Sequence, residues 1–184
     1  MILCALFVAL IAVGAFIKVP VPVVPFTLQF LFTMLAGLLL GGELGAAAVG
    51  VYVVLGLIGF PVFASGGGMG YIFQPSFGYL LGFIAGAYVT GKIANQTKTP
   101  SHGRLLIANF VGLAIVYLFG LVYYYLMSNL YLQTPIGISS LLLYGFVMAV
   151  PGDIFLCFVG AVLGKRLIPL LQEGVYNRPC PSKL

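Results

Sequence analysis

The chain has 184 residues, a net charge of +5, 62% hydrophobic and only 6% charged residues, and a mean hydropathy of +1.19. No soluble domain of this length hides so much apolar side chain, which excludes a soluble catalytic or ATPase domain and predicts an all-α membrane protein. About 20 apolar residues cross a bilayer, so residues 1–184 suit a single integral-membrane domain, a six-transmembrane-helix bundle set in the lipid bilayer. The Lys and Arg residues are few and scattered between apolar segments, which argues against a nucleic acid partner and for a role in topology.

The first expected span is Ile2–Ile17. It is short, which leaves open a start further upstream, and it lacks the positive leading region of a cleaved signal peptide, so it reads as a retained span. Lys18–Phe26 carries Pro20, Pro22 and Pro25 and cannot continue a helix. A second span is expected over Thr27–Leu40, a tight turn at Gly41-Gly42, and a third span over Leu44–Phe60. Residues 61–76 form a Gly-rich loop. The fourth span is expected over Phe77–Ala94, a polar basic loop over Asn95–Arg104, and the fifth span over Leu105–Met127. Ile138–Val150 reads as a short helix at the membrane edge, and Pro151 suits the first turn of a sixth span over Gly152–Leu171.

Six spans put both termini on one side, with Lys92, Lys98, Arg104, Lys165, Arg166, Arg178 and Lys183; Lys18 alone falls opposite. The excess of positive charge predicts that both termini are cytoplasmic, that 172–184 is a cytoplasmic tail and that 61–76 is extracellular. Gly78, Gly82 and Gly86, and likewise Gly160 and Gly164, recur every four residues, a spacing that lets helix backbones approach closely in lipid. Ala5, Ala9 and Ala12 make a similar stripe.

Little here suits catalysis. His102 is the single histidine, Glu43 and Glu173 fall towards the cytoplasmic ends away from Asp153, and Cys4, Cys157 and Cys180 have no metal-type spacing. The chain is expected to be no enzyme and to hold no metal or cofactor.

Asp153, in Val150-Pro151-Gly152-Asp153-Ile154-Phe155-Leu156, is an acid set among apolar segments, where insertion costs about 2.5–3.5 kcal/mol. It either complements the dipole at a helix start or partners a polar ligand. Ser65-Gly66-Gly67-Gly68-Met69-Gly70-Tyr71 lacks the Lys-Ser/Thr of a phosphate loop. It reads as a connector or as backbone, around Gly68 and Gly70, closing on a ligand. Tyr71 to Tyr79 mixes flat apolar walls with hydroxyl and amide groups, as a small-molecule site or an interfacial belt would. Thr27 and Gln29 either cap and tie helices or line an outer pocket.

Ala5–Lys18, Pro22–Gln29 (PVVPFTLQ), Ala36–Gly42 (AGLLLGG), Gly56–Tyr71 (GLIGFPVFASGGGMGY) and Pro151-Gly152-Asp153 together resemble the BioY family, the biotin-binding membrane S components of energy-coupling-factor (ECF) vitamin transporters. The resemblance runs over nearly the whole chain. It implies biotin captured near the outer face of a prokaryotic cell membrane, and transport driven by a T component and two ABC-type ATPases. It turns the Ala5-x-x-x-Ala9 stripe into a surface for the T component. Asp153 would accept from the ureido N–H groups of biotin, Thr27 or Gln29 would complete the polar set, and Tyr71, Tyr79 and the loop would cover the apolar part. Many members carry a lysine three residues after the aspartate, where this chain has Leu156. That lysine would offset the aspartate or hold the carboxylate of biotin; Lys18 either supplies the cation instead or extends to the interface. An S component for a related vitamin, or a structural membrane protein without a ligand, are the alternative readings.

Overall fold

In lipid a chain has to satisfy its backbone polar groups internally, and helices do so within each segment. The structure, a computed structural model, describes residues 1–19, 26–97, 99–133 and 136–176. Helices α1 (Ile2–Phe16), α2 (Gln29–Leu40), α3 (Gly42–Ile58), α4 (Phe77–Ala94) and α5 (His102–Leu126) follow in order, and a π-turn at Met127–Tyr131 extends α5. α6 (Ile138–Leu142) runs through a second π-turn at Leu143–Val147 towards α7 (Val150–Tyr176). Among the described residues, Phe77–Ala94, His102–Tyr131 and Ile138–Leu171 are long and apolar enough to cross a bilayer, while α1, α2 and α3 are shorter apolar helices.

The differences from the expected spans have local causes. α5 starts at His102, upstream of Leu105, because Ser101 caps it: its Oγ accepts from the Arg104 N–H at 3.2 Å. α2 starts at Gln29, and the position before it is Leu28, with no side-chain cap. Thr27 is therefore not a helix cap. It belongs instead to β2 (Phe26–Thr27), a two-residue strand paired antiparallel with β1 (Lys18–Val19), with Lys18 opposite Thr27. This ladder and an isolated bridge between Phe63 and Gly66 are departures from a wholly helical chain. α7 continues past Leu171, so the expected tail starts as helix. The proline stretch 20–25, Lys98 and residues 177–184 with Cys180 lie outside the described residues.

The glycine rows close helices within the chain. A methyl group on Gly82 would sit 2.8 Å from both Cα and O of Val116, and one on Gly86 would sit 3.1 Å from the Gly112 carbonyl oxygen. Both clashes are with the α5 backbone, so α4 approaches α5 as closely as glycine permits. Gly160 and Gly164 of α7 instead receive side-chain ends from α2, those of Met34 and Leu38. Ala5 and Ala9 differ: both are exposed on α1, beside exposed Leu6 and Val13. At one end of the bundle Lys92 pairs with Glu43 at 2.9 Å and the Lys165 ammonium donates to the Pro100 carbonyl at 2.8 Å. The β1–β2 ladder and residues 61–76 close the other end.

Candidate ligand-binding site

At that second end the helices part around a cavity of about 600 Å³, counting the portion open to solvent. Helical spacing brings three residues of α4 to its wall, Tyr79, Leu80 and Phe83, and two of α5, Val116 and Tyr117. Gln29 and Phe30 come from the first turn of α2, Thr27 from β2, and Asp153 from the first turn of α7. Ala64, Tyr71 and Ser76 close it from the loop side.

Asp153 is only 9% exposed. The Tyr117 hydroxyl donates to its Oδ2 at 2.5 Å, while Oδ1 takes part in no hydrogen bond among the described residues. Asn109, fully buried one helical stretch below Tyr117, donates from Nδ2 to the Cys157 carbonyl at 2.8 Å, which pins α7 one turn past the aspartate. Gln29 is 3% exposed, and its Nε2 has no hydrogen-bond partner among the described residues. A buried donor left unsatisfied costs about 1–3 kcal/mol. The cavity thus offers a carboxylate acceptor at one place and an amide donor at another, with apolar walls between. Those two groups suit a neutral ligand head that carries both N–H and C=O.

Aromatic contacts fix the walls. The Tyr79 hydroxyl donates to the Gly145 carbonyl at 2.6 Å, and the Tyr79 and Tyr117 rings meet edge to face at 5.9 Å. Phe146 packs edge-on against Tyr117 at 5.0 Å. The loop is anchored too. Phe63 seats its ring against Gly56, where any side chain would overlap it, and meets Tyr71 at 4.4 Å. The Tyr52 hydroxyl donates to the Val62 carbonyl at 2.9 Å, and the Tyr123 hydroxyl donates to the Ile72 carbonyl. Burial raises the pKa of Tyr71 above its ordinary value, so this hydroxyl stays neutral.

Five residues singled out in the sequence share this cavity: Thr27, Gln29, Tyr71, Tyr79 and Asp153. Three do not line it. Gly68 serves the loop's own backbone: it has φ +102°, and its N–H donates to the Gly56 carbonyl at 2.7 Å. Gly70 is exposed with open space around it. Lys18 donates to the Ala64 carbonyl at 2.6 Å and makes no ion pair with Asp153 among the described residues. Leu156 is buried in the core. Sequence reasoning missed Tyr117, Phe30 and Phe83. A signal for Tyr117 existed: Asn109, Leu113, Val116, Tyr117, Gly120 and Tyr124 form one buried helical stripe that mixes polar with small residues.

The model of the BioY family matches residues 1–173. The chain is 44% identical over 174 residues to a probable biotin transporter BioY of Lysinibacillus sphaericus, covering 95% of this chain and 89% of that relative. It is 39% identical over 174 residues to the biotin transporter BioY of Thermotoga maritima, covering 94% and 98% of the two. A crystal structure of the S-component for biotin from an ECF-type ABC transporter superposes with a TM-score of 0.75 at 29% identity, covering 90% of this chain and 88% of that one.

Proposed function

Because this chain belongs to the BioY family, we propose that it is the substrate-binding subunit for biotin uptake, a binding protein rather than an enzyme. One observation carries the reading: Asp153 and Gln29 line one cavity, and Asp153 Oδ1 and Gln29 Nε2 have no hydrogen-bond partner among the described residues. The ureido group of biotin has N–H donors for the carboxylate and a carbonyl for the amide. Phe30, Leu80, Phe83 and Val116 supply apolar contact for the thiophane ring.

The subunit crosses a prokaryotic cell membrane six times, with both termini in the cytoplasm and the cavity facing out. Lys92, Arg104, Lys165 and Arg166 at the end opposite the cavity support that orientation. A T component and two ABC-type ATPases supply the energy. The solved relative comes from an ECF-type ABC transporter, and the exposed Ala5 and Ala9 leave a close-approach surface on α1 for the T component.

The test is thermal melting of the purified protein with biotin and, separately, with other vitamins. Biotin at about 100 times its Kd is expected to add about 2.7 kcal/mol of stability. A shift with another vitamin and none with micromolar biotin would transfer the site to that ligand.

A further inference from the structure

Lys18 stands at the cavity end of the bundle, and recognition of a ring head group leaves it unused. Its position is fixed twice over by residues that line the cavity. In the β1–β2 ladder it lies directly opposite Thr27, and cross-strand partners carry their side chains on the same face, about 5 Å apart at Cβ. Its ammonium then reaches across to the Ala64 carbonyl at 2.6 Å, and Ala64 also lines the cavity. The side chain is exposed, so the ammonium sits at the rim rather than in the chamber.

Charge accounting singles it out. Asp153 is the one charged residue lining the cavity among the described residues. Lys92, Arg104, Lys165 and Arg166 belong to the opposite end. Residues 20–25, next to Lys18 in the chain, are Pro-Val-Pro-Val-Val-Pro and bring no charge. A second carboxylate inside the chamber would face Asp153 with no cation to offset it. At the rim it meets an ammonium with three donors, one of them engaged by a neutral carbonyl, which is a weaker acceptor than a carboxylate.

We propose that Lys18 binds the carboxylate end of the ligand at the cavity rim and makes the site selective for the free acid over its neutral derivatives. This rests on the reading of the cavity as a biotin site, with the ureido head inside and the valeryl chain leading out. The bond to Ala64 couples the same ammonium to the loop, so the acid end of the ligand and the loop compete for one cation.

The experiment is equilibrium binding of biotin and of biotinamide, its neutral carboxamide, to the purified wild-type, Lys18→Gln and Lys18→Arg proteins. The wild type is expected to prefer biotin by about tenfold or more, the size of one charge-assisted hydrogen bond. Lys18→Gln is expected to erase the preference while leaving biotinamide binding unchanged, and Lys18→Arg to keep it. Equal wild-type affinity for the two ligands overturns the proposal, and so does a preference that survives Lys18→Gln. Equal loss of both ligands in Lys18→Gln overturns it as well, and makes Lys18 a structural residue. Binding of neither ligand by the wild type removes the biotin reading and this assignment together.

Discussion

Asp153→Asn lowers biotin affinity by at least about tenfold and leaves the unliganded protein no less stable. Tyr117 donates to Oδ2, so Oδ1 is the oxygen available to a ligand. An asparagine that keeps its oxygen towards Tyr117 turns an NH2 group towards the ureido N–H, donor against donor. In the other orientation the Tyr117 hydroxyl rotates to accept, and the ligand meets a neutral amide oxygen in place of a carboxylate. Either way a charge-assisted hydrogen bond of about 1.5–3 kcal/mol is lost, which corresponds to roughly 10–150-fold in affinity. Stability moves the other way. The substitution removes a carboxylate whose insertion costs about 2.5–3.5 kcal/mol and whose one side-chain partner among the described residues is a tyrosine hydroxyl. Binding and melting in the same detergent check both halves. Unchanged affinity would take Asp153 out of the site.

Gly82→Val lowers stability by about 3 kcal/mol, the upper end for overpacking, and abolishes ligand binding with it. A Cβ at Gly82 meets the backbone of Val116, at Cα and at the carbonyl oxygen, and neither can rotate away. α4 has to move off α5. Leu80 and Phe83 then separate from Val116 and Tyr117, and the cavity loses the joint between two of its walls. Gly50→Val is the matched control, since a Cβ at Gly50 in α3 meets nothing within 4 Å. Thermal melting of the two variants should differ widely. Equal melting temperatures would mean that the α4–α5 contact is not the tight seam it is taken to be.

The sequence was readable where the physics is local. α4 has its expected bounds, Phe77–Ala94, because Pro75-Ser76 and Asn95-Gln96 bracket an apolar run. Gly78, Gly82 and Gly86 announced a close helix contact by spacing alone. Asp153 stood out by its cost, and Gln29 by its polarity at a helix start. What escaped depends on pairing across the chain. Tyr117 meets Asp153 from 36 positions away, and the polar stripe of α5 that carries it does not name its partner on α7. Lys18 reaches Ala64 over 46 positions. Thr27 has the chemistry of a cap, but strand pairing with Lys18 takes it out of the helix start. Gly68 illustrates a different limit: a glycine needed for a positive φ and one needed for close approach to a ligand look the same in sequence.

The proposed function turns on one contact, Asp153 accepting from the ureido N–H of biotin. It is tested most directly by measuring the affinity of wild-type and Asp153→Asn protein for biotin and for derivatives methylated on each ureido nitrogen in turn. At least one methylation is expected to weaken wild-type binding by about tenfold or more and to cost the variant much less, the coupling expected of two groups in contact. Wild-type protein that binds both methylated derivatives as tightly as biotin would contradict it.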